Sequence, residues 1–173
     1  MLDLTAPMEK YGLTSDITHM DLFYVGLTPP VESLVTDCVL IDLTDEAENV
    51  DPETVLALAQ VRRGDSVILR TGWERFRGTP KYADSPSVDR RLIERLVELG
   101  VVLILVDSPG VFGGAKGRDH NQMDKYLADH RAFAVENLVN VDKLTRPRFR
   151  LYCFPITMAA QNNAPCRVVA DVD

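Results

Sequence analysis

Residues 87–107, SVDRRLIERLVELGVVLILVD, decide the fold. Apolar residues at Val88, Leu92, Ile93, Leu96, Val97 and Leu99 recur at helical spacing and form one face. Ser87 stands where a helix cap is needed, and Gly100 supplies a left-handed stop. The next six residues, Val101 to Val106, are apolar throughout. That is the pattern of a strand covered on both faces, as parallel strands are.

The same logic extends in both directions. Cys38-Val39-Leu40-Ile41, closing with Asp42-Leu43, and Ser66-Val67-Ile68-Leu69 read as two further buried strands. Between them Asp51-Pro52 predicts a helix start, running through Leu56, Ala57 and Leu58, and a polar loop covers Glu74 to Pro86. Beyond the quoted stretch, a short helix is expected from about His120 to Asp129. It leads into a strand, Phe133-Ala134-Val135, that ends at Glu136. Two last strands, Phe149 to Phe154 and Arg167 to Val172, flank a polar turn at Gln161-Asn162-Asn163. The alternation is a βαβ rhythm, so the expected class is α/β: one domain, residues 1–173, with a mixed sheet.

Composition narrows the function. The chain has 173 residues, 46% of them hydrophobic, enough for a sizeable core without disulfides as staples. Its net charge is −7, with no basic run to meet a phosphate backbone or an anionic membrane, so neither nucleic acid nor membrane is an expected partner. The longest apolar run is far short of a membrane span. Met1-Leu2-Asp3-Leu4-Thr5 carries an acid and no basic residues of a secretory leader, which points to a cytoplasmic protein. Cys38, Cys153 and Cys166 form no Cys-x-x-Cys pair and read as reduced, mostly core residues. With only His19, His120 and His130 available, a three-His zinc centre would consume every imidazole.

Ligands of α/β sheets gather beyond the carboxyl ends of strands, where Asp107 and Glu136 stand. His19 and Asp21, two residues apart, share one face of an extended segment and can reach a single cation. His120 and Asp124 share one face of the expected helix. Each has a purely structural reading as well. Glu136 and Asp107 can shape turns, and His120 with Asp124 can be a solvated pair. Trp73 reads as a core or pocket-wall aromatic and His130 as surface. The glycines at 110, 113, 114 and 117 lack the Gly-Lys-Ser/Thr ending of a phosphate loop, and no Gly-x-Ser-x-Gly elbow is present.

Ordered blocks run through nearly the whole chain: Leu2-Asp3-Leu4-Thr5-Ala6-Pro7, Leu40-Ile41-Asp42-Leu43, and Gly64 through Arg70-Thr71-Gly72-Trp73. Leu99-Gly100-Val101, Val106-Asp107-Ser108-Pro109 and Val135-Glu136-Asn137-Leu138-Val139-Asn140 follow. Phe154-Pro155-Ile156 and Ala164-Pro165-Cys166-Arg167-Val168-Val169-Ala170 close the series. In that order they resemble the cyclase family of metal-dependent hydrolases, which includes bacterial kynurenine formamidase and isatin hydrolase. The resemblance implies a swivelling β/β/α domain, assembly as a homodimer or higher homo-oligomer, and a divalent metal, Mn²⁺ or Zn²⁺. It also implies hydrolysis of a small amide, lactam or lactone.

The family's hallmark is His-x-Gly-Thr-His-x-Asp-x-Pro-x-His. Here Thr18, His19 and Asp21 keep its centre, while Ser15, Ile17, Phe23 and Val25 replace the first His, the Gly, the Pro and the last His. Glu136 holds the later acid position, and Asp124 stands twelve residues earlier, where the family has a His. The implied metal set is therefore His19, Asp21, Asp124 and Glu136. One nitrogen and three carboxylates favour Mn²⁺ or Mg²⁺ relative to Zn²⁺. With Val25 unable to move protons, the catalytic acid/base is expected among Glu136, Asp124 and His120. The leading expectation is an arylformamidase-like hydrolase with a small-molecule substrate. Its alternatives are a metal-free homologue serving in binding or assembly, and a cyclase acting on a biosynthetic intermediate.

Overall fold

A computed structural model describes residues 1–7, 17–24, 27–44, 46–113, 120–156 and 162–173, with His120 and Asn121 described by backbone alone. Its strands are β1 (Leu2–Asp3), β2 (His19–Asp21), β3 (Val35–Asp42), β4 (Ser66–Arg70), β5 (Leu103–Val106), β6 (Phe133–Glu136), β7 (Arg148–Pro155) and β8 (Asn163–Asp171). Among the described residues, two α-helices accompany them, α1 (Arg90–Glu98) and α2 (His120–Asp129).

The aliphatic runs form the parallel centre. β3, β4, β5 and β6 pair in parallel, in register from Val39 with Val67 to Leu105 with Val135. Antiparallel strands flank this block: β7 beside β3, and β2 beside β6. β8 pairs with both β2 and β7, so the mixed sheet closes on itself like a barrel, with β1 added along β8. Closure leaves no long unpaired edge on the parallel block.

Because side chains alternate along a strand, the sheet sorts its residues into two cores. Ile68, Leu103, Leu105, Phe133, Val135, Leu151 and Val168 meet inside the closed sheet. Val67, Leu69, Ile104, Val106 and Ala134 face outward and pack against Leu92, Ile93 and Leu96 of α1 and Met123 and Leu127 of α2. Each such aliphatic side chain stabilises by about 1.5–3 kcal/mol when fully buried. All three cysteines are buried and free, as expected. Among the described residues, no helix is long and apolar enough to cross a membrane.

Several local expectations need correction. The helix before β5 starts at Asp89, whose carboxylate accepts from Arg91 N–H at 2.9 Å. Ser87 instead bridges to Phe112 as an isolated β-pair. The helix expected from Asp51 is two 3₁₀ turns, Pro52–Thr54 and Leu56–Gln60, separated by Val55 in an extended conformation. Asp51 does cap the first turn, but two β-branched residues in succession, Thr54 and Val55, resist α-helix. The last strand begins at Asn163 rather than Arg167, so Asn163 belongs to β8 and not to a turn. Gln161 lies outside the described residues, as do Gly114 and Gly117.

Candidate metal centre

β2 has only three residues, yet its place between β6 and β8 fixes the site. Met20 faces Val135 in the inner core, which turns its neighbours His19 and Asp21 to the outer side. His19 lies directly opposite Glu136, the last residue of β6. His19 Nε2 is 3.4 Å from Asp21 Oδ1 and 3.7 Å from Glu136 Oε2. His19 and Glu136 are buried, and Asp21 is partly so. Asp124, on α2, is close enough for its charge to act on both His19 and Glu136. It does not belong to the tight cluster, in which ligand atoms of His19, Asp21 and Glu136 all lie within 4.8 Å of one another. The side chain of His120 lies outside the described residues, as do Ser15 and Val25.

The electrostatics are those of excess negative charge out of water. Burial, and next the charge of Asp21, push the Glu136 carboxyl well above the ordinary carboxylate range. One backbone donor, Val111 N–H at 2.8 Å from Oε1, acts against this. Burial lowers the His19 pKa, but the hydrogen bond and charge of Asp21 outweigh it and the net shift is upward. Asp21 Oδ2 is buried and has no hydrogen-bond partner among the described residues. Such an orphan oxygen normally costs stability.

These residues fit a divalent cation. Ligand atoms about 2.1 Å from one ion lie no more than about 4.2 Å apart, and both distances from His19 Nε2 fall within that limit. The ring is already oriented for the task. Nδ1 lies 2.9 Å from the carbonyl of Ile17, so a proton there leaves the Nε2 lone pair facing the two carboxylates. A cation would also meet the unpartnered Asp21 oxygen and relieve the repulsion on Glu136.

The surrounding loops hold this geometry. Asn137, fully buried, takes a left-handed conformation at φ 61°, which Asn tolerates better than most residues. Its N–H donates to Ser108 O at 2.9 Å, and its carbonyl accepts from Thr18 Oγ1 at 2.8 Å. Thr18 Oγ1 in turn accepts from Ala6 N–H at 2.7 Å. Asp107 does not join the cluster. It reaches across to the next strand end, where Oδ1 accepts from Thr71 N–H at 2.8 Å and Thr71 Oγ1 at 2.7 Å.

Gly72 follows at φ 72°, and Trp73 then donates its indole N–H to Tyr82 O at 3.0 Å. Arg-Thr-Gly-Trp is thus a turn tied to β5 at one end and to Tyr82 at the other. Trp73 is a pocket wall, lining a cleft of about 690 Å³ with Thr71, Ser85 and Pro86. His130 is exposed, with Nδ1 2.7 Å from Tyr126 O.

Tyr82 and Asn137 are the residues that motif reasoning passes over. Tyr82 is buried, and its hydroxyl donates to Asn137 Oδ1 at 3.0 Å, while Asn137 Nδ2 lies 3.4 Å from His19 Nδ1. The signal available was Asn137 inside the Glu-Asn-Leu block. Tyr82, in a polar loop, carried none.

The fold and the chain both have known counterparts. An isatin hydrolase bound to the product analogue thioisatinate superposes with a TM-score of 0.76 at 21% identity, over 92% of this chain and 72% of that one. A potential metal-dependent hydrolase with cyclase activity gives 0.75 at 20% identity, over 98% and 96%. A predicted metal-dependent hydrolase from Bacillus stearothermophilus gives 0.73 at 19%, again over 98% and 96%. No curated protein matches. A family model described as "Putative cyclase" matches residues 8–111, which include His19 and Asp21 and end at the backbone donor to Glu136. With a match over more than half its length and this barrel-like α/β fold, the chain belongs to the cyclase family.

Proposed function

We propose that the chain is a divalent-metal-dependent hydrolase that directs water against the carbonyl of a small amide, lactam or lactone. The observation that carries this reading is the buried cluster of His19 Nε2 facing Asp21 and Glu136, with Asp21 Oδ2 unpartnered. The structural relatives described as hydrolases support it. His19, Asp21 and Glu136 would hold the metal, and carboxylates outnumbering nitrogen favour Mn²⁺ over Zn²⁺. Such an ion, when bound, lowers the pKa of water and polarises a carbonyl.

The chain's own groups do the rest. His19 is held by Ile17 with Nε2 turned to the cluster, and Glu136 is fixed through Oε1 by Val111 N–H. Asp124, within electrostatic reach of both, accepts the proton of the attacking water at its carboxylate and returns it to the leaving nitrogen or oxygen. Asp124→Asn is expected to lower turnover by ~10²–10⁴-fold. In this reading the substrate is a small molecule and the protein is cytoplasmic and assembles with copies of itself. Exposed Phe154 and Ile156, at the end of β7, offer an apolar contact for that assembly.

The test is metal content after purification without added metal, together with hydrolysis of N-formyl aryl amides and lactones with and without Mn²⁺. A bound ion and ion-dependent hydrolysis are expected. Absence of both overturns the reading and favours a metal-free binding or assembly protein, to which the replaced hallmark positions Ser15 and Val25 point. Ring closure among the products, instead of opening or amide cleavage, would identify a cyclase.

A further inference from the structure

The cleft walled by Trp73 has a chemistry unlike that of the metal cluster. Among the described residues that line it are three exposed acids, Glu46, Glu48 and Asp84, and no cation. Two buried hydroxyls, those of Thr71 and Ser85, belong to the same lining. Thr71 commits its hydroxyl to Asp107. Ser85 is only 9% exposed, and its Oγ is buried with no hydrogen-bond partner among the described residues. A buried hydroxyl left in that state is costly unless something completes its bonding.

Size and wall select the class of ligand. A volume of about 690 Å³ is that of a small-molecule site and far exceeds what a metal ion fills. Indole is the aromatic ring that attracts a cation most strongly. The neighbouring chain already displays that attraction: Lys81 Nζ lies 3.8 Å from the centre of the Phe76 ring and 5.4 Å from that of Trp73. Arg75 also stands over Phe76, at 4.8 Å. Neither Lys81 nor Arg75 lines the cleft, so its acidic sign is kept.

Position ties the cleft to the cluster. Thr71 follows β4, Asp107 follows β5 and Glu136 ends β6, three neighbours in the parallel block. Adjacent strands run about 4.8 Å apart, so Thr71 and Glu136 stand on the order of 10 Å from one another. A second route joins them. Ser85 precedes Ser87 by two residues, and Ser87 pairs with Phe112, the neighbour of the Val111 donor to Glu136. A small molecule of that length reaches both places.

We propose that this cleft holds the positively charged end of the substrate, a primary ammonium on an aromatic or alkyl body, while the scissile carbonyl lies at the metal cluster. The body packs on Trp73, and the ammonium donates to the carboxylates and to Ser85 Oγ, which can accept. The substrate role rests on the hydrolase reading above; the ammonium site itself does not.

Trp73 is the only tryptophan of the chain, so its fluorescence reports the cleft directly. Titration of the metal-free full chain with benzylamine is expected to give a saturable change. Benzyl alcohol, its neutral analogue, should bind ~5–10-fold more weakly, and benzoate more weakly still. Glu46→Gln combined with Glu48→Gln, both at exposed positions, should weaken benzylamine by ~3–10-fold and leave benzyl alcohol unchanged. Ser85→Ala removes a hydroxyl without a partner, keeps the fold, and should weaken benzylamine by ~10-fold. Absence of a saturable change, or equal affinity for amine, alcohol and acid, overturns the proposal. So does a loss of amine binding in Asp21→Ala that the cleft variants do not share, which would place the amine at the metal cluster.

Turnover with Mn²⁺ separates the site from the reading it rests on. A formanilide with an aminoalkyl arm should exceed its hydroxyalkyl counterpart in kcat/KM by ~5–10-fold, and the double Gln variant should erase the difference. Equal kcat/KM for the two arms overturns the substrate role of the cleft. If the parent binds no Mn²⁺ and hydrolyses neither compound while benzylamine still binds beside Trp73, the hydrolase reading fails and the ammonium site stands.

Discussion

Two clusters of charge sit against the same sheet and are built on opposite terms. At the start of β7, Arg148 grips Asp65 through both carboxylate oxygens, at 2.7 and 2.9 Å. It also reaches Asp37 at 3.1 Å and the carbonyl of Gln60 at 2.9 Å. Asp65 gains a further bond from Arg62 N–H at 2.8 Å. At β2 and β6, a single imidazole faces two carboxylates, and one oxygen of Asp21 has no partner among the described residues. The first cluster balances its charge with its own side chains and joins β3, β7 and the turn before β4. The second is short of positive charge that nothing in the described residues supplies. Burial without balance distinguishes a site from a strut.

Removing one acid from each cluster should break the comparison if it is wrong. Asp65→Ala takes the bidentate partner from the Arg148 guanidinium, which is only 24% exposed and keeps only Asp37 and the Gln60 carbonyl among the described bonds. It should lower stability by about 3 kcal/mol in urea denaturation, the scale for breaking a largely buried pair. Asp21→Ala removes a like charge from beside Glu136, so the metal-free protein should unfold at the same urea concentration or higher. A loss equal to that of Asp65→Ala would make both clusters struts.

The next effect concerns the ligand. Free Mn²⁺ at 100 times its Kd should stabilise the parent by about 2.7 kcal/mol. Chelation should reverse the gain, and Asp21→Ala should abolish it. A melting temperature indifferent to Mn²⁺ and to chelator would remove the contrast.

How far the sequence reveals each region follows from the range of the interactions that build it. The centre of the sheet is legible because Val67-Ile68-Leu69 and Leu103-Ile104-Leu105-Val106 are runs that only a two-sided burial can use. Helix α1 is legible through its apolar face, though its start is not: Ser87 and Asp89 are both good caps, and the pairing of Ser87 with Phe112 decides between them. Closure of the sheet is hidden, because β8 meets β1 and β2 through partners far apart in the chain. Pro165 also argues locally against a strand there. In the site, His19-x-Asp21 and the acid ending β6 are visible one at a time. That His19 stands opposite Glu136 is a matter of register between residues more than a hundred positions apart, and Tyr82 enters the site only through the fold.

The smallest expected effect lies at the outer end of the balanced cluster. Hydrogen bonds from Arg148, then from Arg150, hold the Asp37 carboxyl below its ordinary pKa. Its side chain is 47% exposed, so water screens most of the interaction. A carboxyl lowered in the folded state contributes stability fully above its unfolded pKa, near 4. It loses that contribution as pH falls through the still lower folded value. The difference in urea midpoint between the parent and Asp37→Asn should therefore be present at pH 6, correspond to about 0.5 kcal/mol, and shrink as pH falls below about 4. A larger difference, comparable to that for Asp65→Ala, would show that Asp37 shares the load of the buried pair instead of screening its solvent side. The strut would then extend across β3 to the surface, and the contrast with the unbalanced cluster would widen.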